Sequence, residues 1–96
     1  MANAHFKVGG QTIDVFGPRA EQVAHLLELD GGRKGKKLAY RIGSHVADEE
    51  PGDDVLDLSE DEQHVLLEAL EKVAGASHSE PPDLRKLRGA LSEPGR

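Results

Sequence analysis

From Ala4 to Phe16 the chain alternates between apolar and polar residues, with Gly9-Gly10 in the middle. A period of two predicts strands, and a glycine pair suits a two-residue hairpin turn with positive φ. Such a turn pairs Val8 with Gln11, Phe6 with Ile13 and Ala4 with Val15. Ala4, Phe6, Val8, Ile13 and Val15 then share one face, while His5, Lys7, Thr12 and Asp14 share the other. His5 stands opposite Asp14 in this register.

Gly17 breaks the alternation, and Pro18 fits the first turn of a helix. Ala20, Val23, Leu26 and Leu27 give that helix a buried stripe, with Ala24 at its border, and Asp30-Gly31-Gly32 ends it. A basic loop is expected next. Leu38, Tyr40 and Ile42 then alternate with Ala39, Arg41 and Gly43 as a third strand, with Tyr40 facing the core. Leu56 and Leu58 predict a short edge strand. Pairing Ile42 with Leu56 would set Arg41 opposite Asp57 as a cross-strand ion pair.

Ser59 and Glu62 form a capping box ahead of Val65, Leu66, Ala69, Leu70 and Val73, an amphipathic helix closed by Gly75. Glu60, Asp61 and Glu62 put negative charge where the helix dipole favours it. Residues 76–80 read as a linker, 81–92 as a short helix beginning at Pro81-Pro82, and 93–96 as a tail.

The expected architecture is α+β. It is a four-stranded, mainly antiparallel sheet in ββα-ββα order, with two amphipathic helices on one face and a short extra C-terminal helix. Residues 1–75 form its single domain.

Composition limits what such a domain does. Ninety-six residues hold one modest core, and aromatics are few: Phe6, Phe16 and Tyr40. The absence of cysteine excludes disulfides, thiolate nucleophiles and cysteine-based zinc sites. No stretch resembles a signal peptide or a membrane span, so a cytoplasmic location is expected. Richness in alanine, glycine, arginine and acidic residues suggests a bacterial source.

Motifs for chemistry are lacking. The five histidines show no chelating spacing, and His5 meets His45 only if their strands are neighbours. Residues 48–57 lack the oxygen spacing of a calcium loop. Ser44-His45 and Ser77-His78 are adjacent pairs, which does not set up a triad. Gly31 to Lys37 superficially resembles a phosphate loop, but its glycines follow a helix instead of opening one. Neither metal nor cofactor is expected, and no enzyme activity.

The formal charge of −6 argues against a protein that coats nucleic acid, yet the charges are segregated. Arg33, Lys34, Lys36, Lys37 and Arg41 form a basic cluster on the expected hairpin loop 33–41, and residues 48–62 are densely acidic. In the last helix, Leu84, Leu87 and Leu91 make a narrow apolar stripe flanked by Arg85, Lys86 and Arg88. The reading that follows is a protein-interaction or regulatory module, binding a partner or a second copy through Leu84, Leu87, Leu91, Arg85 and Arg88 or through the acidic segment. Nucleic-acid binding by the basic cluster stands second.

Overall fold

The computed structural model describes residues 3–47, 55–76 and 80–92. Its elements are β1 (Ala4–Val8), β2 (Gln11–Val15), α1 (Gly17–Asp30), α2 (Gly32–Ala47), β3 (Leu56–Asp57), α3 (Glu60–Ala76) and α4 (Pro82–Ser92). The hairpin has the register expected of a two-residue glycine turn, with Phe6 opposite Ile13 and His5 opposite Asp14. Gly9 and Gly10 both take positive φ, at 55° and 86°. Ala4, Phe6, Val8, Ile13 and Val15 are buried, while Lys7, Thr12 and Asp14 are exposed. The helices therefore lie against one face of the sheet.

The sheet itself departs from expectation. Among the described residues it has three strands in the order β2-β1-β3, and β3 runs parallel to β1, with Leu56 opposite Phe6. The expected third strand, Leu38 to Gly43, is instead the middle of α2. The reason lies in the spacing. Leu38 and Ile42 are four apart, which satisfies a strand period of two and a helical repeat equally well. Gly35, Leu38, Ala39, Ile42 and Val46 carry the helical pattern across the whole segment, and all five are buried. Tyr40 falls on the opposite side of the helix and is 78% exposed. The expected ββα-ββα order is thus replaced by ββαα-βαα.

The remaining elements follow the sequence closely. The Ser59 amide donates to the Glu62 carboxylate at 3.0 Å, and the Glu62 amide to Ser59 Oγ at 3.2 Å, closing the capping box. α3 runs through Gly75 to Ala76. α4 packs on α3 and on the hairpin, and Leu84 and Leu87 enter the core beside Leu66 and Leu70. The start of α4 is fastened to the start of α1. Asp83 Oδ2 accepts the Phe16 amide at 2.9 Å and Arg19 Nε at 3.0 Å, and its Oδ1 accepts the Leu84 amide at 2.8 Å. Burial alone would raise the Asp83 carboxyl, but these donors outweigh it and hold the group below its ordinary value. Among the described residues no helix is long and apolar enough to cross a membrane.

Candidate interaction surface

α1 and α2 form an antiparallel helical hairpin joined by a very short turn. Gly31 donates its amide to the Leu27 carbonyl at 2.8 Å, and Gly35 donates to the Gly31 carbonyl at 3.0 Å. Gly32 takes φ +67° and reverses the chain. Along α2, small residues stand at every fourth position: Gly35, Ala39, Gly43 and Ala47. At the turn end this stripe lets the helix backbones approach closely. Further along it leaves room.

That room is an open groove of about 420 Å³ on the outer side of the helical hairpin. Ala24, Ala39 and Gly43 line its base. Glu21, His25 and Glu28 flank it on α1, and Lys36 and Tyr40 on α2. Gly43 needs explaining. A glycine inside a helix is about 1 kcal/mol worse than alanine, yet a Cβ at this position would meet nothing within 4 Å. Internal packing therefore does not require a glycine here.

The basic cluster is helical, not a hairpin loop, and its members separate into two groups. Lys34 Nζ lies 3.1 Å from Asp61. Arg41 bonds the Glu62 carboxylate and donates to the Asp57 carbonyl at 3.0 Å. The expected cross-strand pair of Arg41 with the Asp57 side chain is replaced by these contacts, because Arg41 reaches across from a helix. Burial pushes the Glu62 carboxyl up, but Arg41 and the Ser59 donors outweigh it and bring it below its usual range. Arg33, Lys36 and Lys37 are exposed and share a stripe with Tyr40, at i, i+3, i+4 and i+7, with Lys37 also bordering, beside Lys34, a pocket at Ser59, Asp61 and Glu62. No acidic residue stands in the first turn of α2, so its cations sit at the end of the helix where the dipole disfavours them.

The C-terminal stripe lies elsewhere. Leu84 is 4% exposed, Leu87 is 0% and Leu91 is half-buried at the edge of the same core. Arg88 forms a two-pronged bond to Glu80, with Nε and Nη2 each at 2.9 Å, and Arg85 Nε stands 3.9 Å from the same carboxylate. The Arg88 hydrogen bond holds the Glu80 carboxyl below its ordinary value against burial, aided by the positive charge of Arg88 and Arg85. Of the acidic segment 48–62, residues 48–54 lie outside the described residues. Its far end is the first turn of α3, engaged by Lys34 and Arg41.

Two histidines do meet, through a helix and not a neighbouring strand. His45, near the end of α2, accepts the His5 amide at Nε2 over 3.0 Å, and the two rings stand edge to face at 5.8 Å. His5 Nδ1 also lies 2.5 Å from Asp14 Oδ1. Because β3 begins opposite Phe6, the His5 amide lies beyond that strand, and His45 satisfies it. Among the described residues no group of three or more His, Asp or Glu side chains is placed to hold a metal ion.

Sequence reasoning missed the groove because it turned Tyr40 inward. The four-residue spacing of Gly35, Ala39, Gly43 and Ala47 was the signal that could have revealed a helix with a small-residue seam. No protein family, curated protein or solved structure matches the chain.

Proposed function

We propose that the chain is a non-enzymatic protein-interaction module that engages its partner through the outer face of the α1–α2 hairpin. The observation that carries this reading is Tyr40, 78% exposed beside a groove based on Ala24, Ala39 and Gly43. Tyrosine is favoured in interface centres because it buries a large rigid ring while keeping a polar tip. A groove with an apolar base and charged flanks supplies the core and rim of a recognition patch. The C-terminal leucines are a weaker choice, since exposing them would dismantle the core. The test is affinity capture of partners from the cells that express the protein, comparing the parent chain with Tyr40→Ser and Gly43→Met. Partners retained equally by all three chains would overturn this assignment of the surface.

One observation favours a second reading, nucleic-acid binding. Arg33, Lys36 and Lys37 stand in the first two turns of α2, and the exposed Tyr40 follows one turn on along the same side, an arrangement that suits phosphate contact and base stacking. Against it, Glu60, Asp61 and Glu62 stand at the neighbouring end of α3, and Glu28 faces the same groove as Lys36. These carboxylates repel a phosphate backbone. A salt titration with duplex and single-stranded probes separates the readings. Three phosphate contacts require a log–log slope of about −2 to −3, and the absence of binding at low salt removes this alternative.

A further inference from the structure

The two sides of the groove carry opposite charge. Glu21 and Glu28 stand on α1, and Lys36 stands on α2. Among the described residues these three make no ion pair within the chain, although neighbouring charges do: Asp30 lies 3.9 Å from Lys72, and Lys34 and Arg41 are engaged by α3. Such a face is complementary to itself. We infer that its occupant is a second copy of this chain, packed about a two-fold axis parallel to the two helices.

The orientation follows from the charges. A two-fold axis lying in the interface along the helices sets α1 of one copy over α2 of the other. Because α1 and α2 are antiparallel and joined at Gly31-Gly32, residues equally distant from the turn lie at similar heights. Glu28 of each copy therefore comes over Lys36 of the other, and Tyr40 over the other's Ala24 and His25. An axis across the helices would instead lay α1 over α1 and bring the glutamates of one copy toward those of the other, an arrangement that like charges oppose. Gly43, further from the turn, comes beneath Glu21 of the other copy, and its missing side chain leaves α1 of that copy room to approach there.

The area sets the strength. Helices of 14 and 16 residues run about 21 and 24 Å and lie roughly 9 Å apart. With each helix about 10 Å across, they present a plan of about 400 Å² per copy, a small face beside those of standard stable interfaces. The dimer is accordingly weak and depends on concentration, with a dissociation constant in the micromolar range or above.

This inference rests on the surface assigned above, and sedimentation velocity from micromolar to millimolar chain tests it separately. The parent chain should shift from monomer to dimer mass across that range. Gly43→Met, whose side chain grows into open space, should weaken association about tenfold or more while leaving circular dichroism unchanged. Lys36→Glu and Glu28→Lys should each weaken it, and the double reversal Glu28→Lys/Lys36→Glu should restore it. A chain that stays monomeric throughout overturns the inference, as does a dimer indifferent to these variants or a double reversal that fails to recover. Should the chain stay monomeric while Tyr40→Ser and Gly43→Met abolish capture of a different protein, self-association falls and the assignment of the surface stands.

Discussion

Gly35 sits against the carbonyl of Leu27 so closely that a Cβ built on it would stand 2.5 Å from that oxygen. The obstacle is backbone from α1, which cannot rotate away like a side chain. Gly35→Ala should therefore push the helices apart at the turn, with a loss of about 2–3 kcal/mol. Urea denaturation should show a lower midpoint with little change in slope.

Gly43, eight residues further along the same helix, should respond in the opposite sense. Nothing lies within 4 Å of its virtual Cβ. Gly43→Ala should stabilise the monomer by up to about 1 kcal/mol. For a domain of this size that is a rise in Tm of about 4–8 °C, measurable by calorimetry in dilute solution.

Leu87, fully buried between α4 and the rest of the core, should behave as a structural residue. Leu87→Ala should cost about 2–5 kcal/mol, and a polar replacement more. Loss of binding in such a variant would accompany loss of near-ultraviolet dichroism. A folded Leu87→Ser chain of parental stability would show that α4 is not part of the core.

Three carboxylates link stability to acid. Glu62, Glu80 and Asp83 are all held below their ordinary values of 4.5, 4.5 and 3.8. With folded pKa values beneath the unfolded ones, the unfolded chain binds protons first. Their contribution is complete above about pH 5 and disappears as pH falls through the folded values. Stability measured from pH 6 downward should thus fall below the ordinary values. Asp83→Asn, which removes the charged acceptor of Arg19, should flatten part of that fall while lowering stability at neutral pH by about 1–2 kcal/mol.

The hairpin, α1 and the start of α3 were legible in the chain because each rests on local physics. Alternation with a glycine pair sets the register of Phe6 on Ile13, Pro18 opens α1, and the exchange between Ser59 and Glu62 caps α3. None of these needs a distant partner.

The segment from Gly32 to Ala47 fits a loop and a strand by local pattern, because Leu38 and Ile42 satisfy both periods, and two glycines with four cations near its start oppose a helix locally. Only tertiary contact decides it. Gly31 and Gly35 let α2 fold back on Leu27, and burying Leu38, Ile42 and Val46 beneath α1 and α3 outweighs weak propensity and an unfavourable dipole. The same event turns Tyr40 outward, opens the groove at Gly43 and brings His45 to the amide of His5. Local pattern thus determined which segments form elements on their own. Packing determined the identity of α2, and with it the surface the molecule presents, because a helix and a strand with the same buried pair differ only in what they bury around it.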